Sequence, residues 1–250
     1  MDIAAPVAPH LDPQENPEPV DARDRLIVAL DFASAQAAMD LVDQLQGTCR
    51  WFKVGMELYY AAGNAVVEHL RGRGFQVFLD LKLHDIPNTV AGAVRTVARA
   101  GASLLTVHAG GGEAMLRAAA EAASGPEAPR LLAVTVLTSM DAGQLSGVGV
   151  SDSAEVQVVR LARLAKAAGI SGLVCSAEEV GAVREAMGPD ALLVVPGIRP
   201  AGADVGDQRR VATPAEAIAR GASMLVVGRP ITQAEDPAKV AAGILAEMQG

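Results

Sequence analysis

The sequence predicts a closed (β/α)8 barrel, the TIM-barrel fold of the α/β class, built as a single domain. The length of 250 residues is typical of one such barrel. Half of the residues are apolar, so the chain can bury a large core. A short apolar run followed by a longer Ala-rich segment with helical spacing occurs eight times along the chain.

The eight apolar runs are the predicted strands. Each is nearly continuous and rich in branched residues, as is typical of strands buried on both faces of a parallel sheet. In chain order the runs are LIVALD (26–31), RWFKVG (50–55), FQVFLDLK (75–82), SLLTVHAG (103–110), LLAVTVLT (131–138), GLVCS (172–176), LLVVPG (192–197) and SMLVVG (223–228).

The segments between these runs predict helices. The clearest are residues 34–47, 87–101, 153–169 and 213–221, which begin at Ser, Pro or Thr and end at Gly. Because the connections are short, eight such units fit a closed barrel better than a doubly wound open sheet, which is the alternative. The first run lacks a following G-x-G-x-x-G turn, which argues against a dinucleotide-binding sheet.

Residues 1–22 differ in composition from the rest of the chain. They are rich in proline and acidic residues and have no periodicity, which predicts a flexible extension and leaves residues 23–250 for the barrel. They also lack the basic start and apolar stretch of a secretory signal. No apolar run approaches the roughly 18 residues that span a bilayer. We therefore expect a cytoplasmic protein without a membrane partner.

The charged and sulfur-containing residues exclude further classes of function. A net charge of −8 argues against nucleic acid as a partner, because nucleic-acid-binding proteins usually carry a basic stripe. The two cysteines, Cys49 and Cys175, lie far apart and outside any C-x-x-C pattern. They predict two buried, reduced thiols rather than a metal site.

Charged residues occur where the first three predicted strands end. The first run ends in Asp31, the second carries Lys53, and the third ends in Asp80 and Lys82, with Asp85 shortly after. Active sites of these barrels lie at the C-terminal ends of the strands. Asp80 and Lys82 are two residues apart, so both should point into the barrel mouth, where buried charges need opposite charges nearby. A salt-bridge network that only closes the barrel is the structural alternative.

The loops after the seventh and eighth runs carry features of a phosphate site. Gly197 and Arg199 follow the seventh run, and Gly228 and Arg229 follow the eighth. Phosphate groups often bind at this point in such barrels, where glycines let the backbone approach and arginine supplies a bidentate charge. The long polar loop at residues 198–210 predicts a lid, with a simple surface insertion as the alternative.

These motifs resemble the orotidine 5′-phosphate decarboxylase family. The segment DLKLHDIPNT (80–89) is highly specific for it, and LIVALD, FKVG, VTVLTSM, PGIRP, GDQRR and VGRPI follow the family's order. The resemblance implies decarboxylation of orotidine 5′-phosphate to UMP and CO2, the last step of de novo pyrimidine nucleotide synthesis. It also implies that the reaction uses no metal and no organic cofactor.

The resemblance assigns roles to the residues at the strand ends. Lys53, Asp80, Lys82 and Asp85 would form an alternating charged catalytic array, in which Lys82 stabilises a carbanion at C6 and protonates it. Contacts to the substrate are implied for ribose (Asp31, Lys53), pyrimidine (Thr138, Ser139) and phosphate (Arg199, Gln208, Gly228, Arg229). A homodimer with shared active sites is implied as well, in which Asp85, Ile86 and Thr89 reach into the neighbouring subunit's site.

Two other functions stay open at this point. Hexulose-6-phosphate synthase and related sugar-phosphate decarboxylases share an Asp-x-Lys-x-x-Asp segment, but they use a metal and carry an acidic residue at the position of Lys53. The second alternative is a barrel that binds nucleotide phosphates without catalysis, although the complete charged array does not favour it.

Overall fold

The computed structural model describes residues 21–200 and 211–249. Its strands are β1 (Leu26–Leu30), β2 (Trp51–Gly55), β3 (Gln76–Leu83), β4 (Leu104–His108), β5 (Arg130–Val134), β6 (Gly172–Val174), β7 (Leu192–Val195) and β8 (Met224–Val227). All neighbouring pairs are parallel, and β8 pairs with β1, which closes the barrel. The predicted closed barrel is confirmed, and the open-sheet alternative is wrong.

At least one helix follows every strand. The helices are α1 (Ala35–Gln44), α2 (Met56–Ala62), α3 (Asn64–Gly72), α4 (Pro87–Ala98), α5 (Gly112–Ala122), α6 (Ala142–Gly147), α7 (Ala154–Ala167), α8 (Val180–Met187), α9 (Pro214–Ala219), α10 (Arg229–Thr232) and α11 (Pro237–Glu247). The predicted Ser34 cap is present, since its side chain accepts a hydrogen bond from the Ala37 N–H. Within the described ranges, none of these helices is long and apolar enough to cross a membrane.

The predicted extension, residues 1–22, lies outside the described residues except for its last two. Asp21 caps a short 3-10 helix, Ala22–Asp24, which leads directly into β1. The Asp21 carboxylate also contacts Arg50, at 3.0 Å from Nη2. Asp21 and Ala22 therefore belong structurally to the base of the barrel.

Strand residues alternate between two apolar layers. In β1, Leu26, Val28 and Leu30 pack towards the helices, whereas Ile27 and Ala29 belong to a smaller cluster inside the barrel. The inner cluster also contains Phe78, Leu104, Leu132, Val194, Met224 and Val226. A side chain two positions beyond an inner residue continues towards the C-terminal mouth on the same face. This alternation brings Asp31, Asp80 and Thr106 to the mouth of the barrel.

The pairing of β3 with β4 is irregular where the charged residues begin. Leu79 pairs with Leu105 and Leu83 pairs with Val107, so four steps along β3 match two steps along β4. Lys82, within this bulge, has a φ of 49°, a left-handed conformation that costs a non-glycine residue about 1 kcal/mol or more. Leu81 still packs outwards against the larger apolar cluster. Asp80 and Lys82 thus share the inner side, as predicted, although not along a regular strand.

Cys49 and Cys175 are both buried thiols, which confirms the prediction from their spacing. Burial raises the pKa of the Cys49 thiol to about 12, so this thiol stays protonated at neutral pH. Cys49 belongs to the apolar layer under the helices.

Candidate active site

A cavity of about 300 Å³ opens at the C-terminal mouth of the barrel. Its polar lining consists of Lys53, Asp80, Lys82, Thr138 and Ser139. Its apolar lining consists of Phe78, Val134, Val136, Leu137, Val174, Cys175, Pro196 and Val226. Apolar walls with a few convergent polar groups are the usual composition of a small-molecule site.

Asp80 is the centre of the charged group. Its side chain is only 14% exposed. Lys82 Nζ lies 2.9 Å from each Asp80 carboxylate oxygen, and Lys53 Nζ lies 3.8 Å from Oδ2. Two ammonium groups on one buried carboxylate compensate its charge where water is scarce.

Lys53 lies between two carboxylates. Its side chain is 10% exposed, and its Nζ donates to Asp31 Oδ1 at 2.8 Å, closer than its 3.8 Å contact with Asp80. The side chains of Asp31, Lys53, Asp80 and Lys82 therefore form a continuous row of alternating charges, which we call the charged row. The predicted proximity of these four residues is confirmed. Asp31, at 60% side-chain exposure, is the end of the row that is open to solvent.

Thr106 on β4 joins this row through its hydroxyl. The side chain is fully buried, and Oγ1 donates to Asp80 Oδ1 at 2.9 Å. The same oxygen accepts the backbone N–H of Lys82 at 2.8 Å. Thr106 is not among the site residues predicted from the sequence. The available signal was a single polar residue inside the apolar run LLTVH, two positions after the inward-facing Leu104.

The segment after β5 forms one wall of the cavity. The predicted strand extended to residue 138, but β5 ends at Val134. Thr135 then donates its hydroxyl to the Val174 carbonyl at 3.1 Å, and the chain leaves the sheet. Thr138 and Ser139, which were predicted to lie near the pyrimidine, follow a few residues later on the cavity wall.

Asp85, Ile86 and Thr89 are exposed in the single chain. Ile86 is 67% exposed, and Asp85 Oδ1 accepts the Ile86 backbone N–H at 2.6 Å. Among the described residues Asp85 has no salt bridge, and none of the three residues lines the cavity of its own barrel. Within this chain, the structure does not bring Asp85 into the charged row that the resemblance implied.

The predicted phosphate residues lie at the ends of β7 and β8. Gly228 caps the short helix α10, which begins at the exposed Arg229. A Cβ built on Gly228 would lie 3.9 Å from Asp31 Oδ2, so this backbone borders the charged row. The Arg199 N–H donates to the Ala212 carbonyl at 3.0 Å. Arg199 and Arg229 do not line the cavity itself.

The predicted lid loop, residues 198–210, is described only at its start. Ile198 is fully buried and forms a parallel bridge with Ala212, so the flanks of this loop meet beside the barrel mouth. Gln208, the predicted phosphate contact on this loop, lies outside the described residues.

Two histidines stack beside the charged row. The rings of His84 and His108 are 5.1 Å apart and within 9° of parallel. His108 Nδ1 accepts the Gly110 N–H at 3.1 Å, which starts the short 3-10 helix Ala109–Gly111. Burial lowers the pKa of His108, and the neighbouring His84 and Lys82 lower it further. These contacts give the two rings a structural role, since they connect the ends of β3 and β4.

Across residues 21–200 and 211–249, no three His, Cys, Asp or Glu side chains are grouped so that they could hold a metal ion.

Comparison with known proteins assigns the chain to a family. The model described as "Orotidine 5'-phosphate decarboxylase / HUMPS family" matches residues 24–244. A protein of Moorella thermoacetica named orotidine 5′-phosphate decarboxylase is 53% identical over 235 residues, which is 91% of this chain and 93% of that protein. A protein of Anaeromyxobacter dehalogenans with the same name is 56% identical over 223 residues, covering 89% and 97% of the two chains.

The fold and the sequence lead to the same family. The crystal structure of orotidine 5′-phosphate decarboxylase from Lactobacillus acidophilus superimposes with a TM-score of 0.80 at 39% identity, over 90% of this chain and 99% of that one. The charged row at the barrel mouth lies within the matched residues. The chain belongs to the orotidine 5′-phosphate decarboxylase / HUMPS family.

Proposed function

We propose that this protein decarboxylates orotidine 5′-phosphate to UMP and CO2, as the last step of de novo pyrimidine nucleotide synthesis in the cytoplasm. The observation that carries the proposal is the row Asp31–Lys53–Asp80–Lys82 at the cavity. Its occurrence in a chain more than half identical to proteins named for this reaction supports it.

The reaction demands electrostatic stabilisation more than covalent chemistry. When the bond from C6 to the carboxylate breaks, the electron pair stays in an sp² orbital at C6, orthogonal to the ring π system. The ring therefore cannot delocalise it, and a preorganised cation beside C6 is the direct way to lower the barrier. The proposed reaction uses no metal and no organic cofactor.

Lys82 is suited to be that cation. Its side chain is 29% exposed and lines the cavity, so the ammonium is accessible to a bound substrate. In the proposed step CO2 departs, the ammonium stabilises the pair at C6, and one N–H proton moves to C6 to give UMP. Lys82 is left as a neutral amine that takes a proton back from solvent.

Asp80 has two proposed roles. It orients Lys82 through the two 2.9 Å contacts in the free protein. When substrate binds, its carboxylate would face the substrate carboxylate, and their repulsion would be relieved as CO2 leaves. Lys53, 3.8 Å from Asp80, keeps the site compensated in charge throughout.

The remaining contacts are proposed to hold the nucleotide away from the reacting carbon. Asp31 and Lys53 would bind the ribose hydroxyls, and Thr138 and Ser139 would contact the pyrimidine. The phosphate would bind Arg199, Gln208, Gly228 and Arg229. Binding energy at the phosphate can be used to fix the reacting end of the substrate, although the phosphate takes no part in the chemistry.

We also propose a homodimer with shared active sites. Asp85, Ile86 and Thr89 directly follow the catalytic strand and are exposed in one chain. Ile86 is 67% exposed in one chain, and in the proposed dimer the neighbouring subunit would cover it. In the dimer, Asp85 would complete the charged array of the neighbouring subunit.

The central test is the Lys82→Ala variant, assayed by conversion of orotidine 5′-phosphate to UMP. We expect kcat to fall at least about a thousandfold, because both the cation and the proton donor are lost. UMP binding, measured by calorimetry, should largely survive. Normal turnover by Lys82→Ala would refute the role of Lys82. A wild-type protein that binds UMP but makes none would support a non-catalytic barrel instead.

A chelator separates this function from the metal-dependent sugar-phosphate alternative. Because Lys53 occupies the position where those enzymes carry an acidic residue, we expect EDTA to leave the rate of UMP formation unchanged. Loss of activity in EDTA, with recovery on addition of Mg²⁺, would favour the metal-dependent reaction.

A further inference from the structure

We propose that Thr106 is a positioning residue whose single hydroxyl fixes the Asp80 carboxylate and the Lys82 backbone relative to each other. The inference rests on the proposed function, because that function gives Asp80 and Lys82 their roles. Thr106 itself does not line the cavity, so it would act through these two residues rather than on the substrate.

The direction of both hydrogen bonds follows from the chemistry of the partners. An ionised carboxylate only accepts and a backbone N–H only donates, whereas a hydroxyl has one proton and two lone pairs. The Thr106 proton must therefore go to Asp80 Oδ1, at 2.9 Å, while a lone pair accepts the Lys82 N–H, at 2.8 Å. With the side chain fully buried, water cannot replace either bond.

The bulge in β3 explains why a side chain is needed at this point. Between Leu79 and Leu83 the register with β4 shifts, and Lys82 adopts its left-handed conformation. Its N–H then meets the Thr106 hydroxyl of β4 instead of a backbone carbonyl. The hydroxyl thus replaces a bond of the sheet and stabilises a backbone conformation that is otherwise unfavourable.

Thr106 differs from the other two partners of Asp80 in stiffness. Lys53 and Lys82 reach the carboxylate at the ends of long flexible side chains, 3.8 Å and 2.9 Å away. Thr106 is short, and its β-branched side chain has few rotamers. In the proposed reaction Lys82 turns from Asp80 towards C6, and at that moment Thr106 is the rigid contact that keeps the carboxylate in place.

The test compares Thr106→Val, Thr106→Ser and Thr135→Val. Valine keeps the shape and removes the hydroxyl, whereas serine keeps the hydroxyl. Thr135 is the matched control, because it is a buried threonine at the end of the next strand whose hydroxyl donates to a backbone carbonyl. We expect kcat of Thr106→Val to fall about 10- to 100-fold, because a buried N–H and a carboxylate oxygen each lose a partner.

The other readouts separate positioning from a general loss of structure. UMP lacks the carboxylate that Asp80 would face, so the Kd for UMP should change less than about threefold in Thr106→Val. Thr106→Ser should keep most of kcat, and Thr135→Val should keep it while losing a similar amount of thermal stability. If Thr106→Val does not fold, Thr106→Ala provides the same comparison with Thr106→Ser.

Two results would overturn the proposed role of Thr106. A Thr106→Val protein with the kcat of Thr135→Val would do so, as would a folded Thr106→Ser protein as slow as the valine variant. Either result refutes only the role of Thr106 if the wild-type chain converts orotidine 5′-phosphate and Lys82→Ala does not. If the wild-type chain has no activity, the proposed function fails and the inference fails with it.

Discussion

The ammonium of Lys53 occupies space beside Gly55, two residues further along β2, that a side chain at this position would need. A Cβ built on Gly55 would lie 2.9 Å from Lys53 Nζ and 3.0 Å from Asp31 Oδ1. The backbone of Gly55, with φ −88° and ψ −179°, suits any amino acid. Glycine is needed here for space rather than for conformation, since the Lys53–Asp31 ion pair occupies the volume of a methyl group.

We therefore predict that Gly55→Ala impairs activity more than stability. The clashing atom is the end of a flexible side chain, so the fold can accommodate the methyl group within about 1 kcal/mol. The displaced ammonium should lower kcat/KM at least about tenfold. Gly181→Ala is the control, because Gly181 lies exposed on α8 with no atom within 4 Å of its Cβ position. Wild-type kcat/KM in Gly55→Ala would contradict this prediction.

Sequence reasoning found the charged residues but not the group that organises them. Asp31, Lys53, Asp80 and Lys82 could be predicted because charges at the ends of apolar runs must meet in the mouth of a closed barrel. Thr106 could not be identified as readily, because threonine is common in strands for reasons of packing alone. Its role depends on a bulge in the neighbouring strand, which the alternation of residues does not reveal.

β6, with three residues, is the shortest of the eight barrel strands described, and its first residue, Gly172, pairs with Leu132 of β5. A Cβ on Gly172 would lie 2.6 Å from the Leu131 carbonyl oxygen and 2.6 Å from Leu132 Cδ2. Unlike the contact at Gly55, the first of these involves backbone, which cannot move without disturbing the barrel.

Gly172→Ala should accordingly destabilise the protein by about 1–3 kcal/mol, the usual cost of overpacking a core. Chemical denaturation of this variant, beside wild type and Gly181→Ala, measures the effect. The helical control should be neutral or slightly stabilised, since alanine favours helix more than glycine does. Equal stability of Gly172→Ala and wild type would show that β5 and β6 can separate without cost.

The stacked pair His84 and His108 joins the ends of β3 and β4 and predicts a pH dependence. Burial, followed by His84 and Lys82, lowers the pKa of His108 in the folded protein. The unfolded chain therefore binds a proton at His108 more readily, so the free energy of unfolding falls as the pH drops below about 6.5. His108→Asn keeps an acceptor for the Gly110 N–H but has no titrating ring.

We expect His108→Asn to lose less stability than wild type when the pH is lowered from about 7 to about 5. Denaturant titrations of both proteins at these two pH values measure the loss of unfolding free energy. The difference in stability between the two proteins at about pH 8 serves as the reference. Because all carboxylates titrate in both proteins, the difference between their slopes of unfolding free energy against pH isolates His108. Equal slopes would mean that another group causes the pH dependence.

The elements themselves were predictable to within a few residues, except where the chain leaves the sheet. The run 131–138 reads as one strand, but β5 ends at Val134, and the next residue, Thr135, donates both its N–H and its hydroxyl to the Val174 carbonyl. Similarly, the run 103–110 reads as one strand, but β4 ends at His108, whose ring accepts the Gly110 N–H where the chain turns. Hydrogen bonds between side chains and the backbone lie at the ends of these strands, and the periodicity of apolar residues does not predict such bonds.

For the whole molecule, the charged row is one residue short of the array that the family resemblance implies. Asp31, Lys53, Asp80 and Lys82 come from one barrel, whereas Asp85 is exposed and its carboxylate bonds to its own neighbour, Ile86. The sequence of a single chain does not state where such a residue acts, because in the proposed dimer its partners would belong to another molecule. The proposed dimer supplies an answer that subunit mixing can test.

Mixing two inactive variants, Lys82→Ala and Asp85→Ala, should restore activity. If Asp85 acts in the partner's site, each mixed dimer has one doubly defective site and one intact site. Random exchange of subunits, by refolding together or co-expression, should then recover about a quarter of wild-type activity, since half of the dimers are mixed in a two-fold assembly. Lys82→Ala mixed with Lys53→Ala is the control and should stay inactive, because Lys53 and Lys82 line the cavity of one barrel. Subunit exchange without recovery in the first mixture would place Asp85 in its own chain's site.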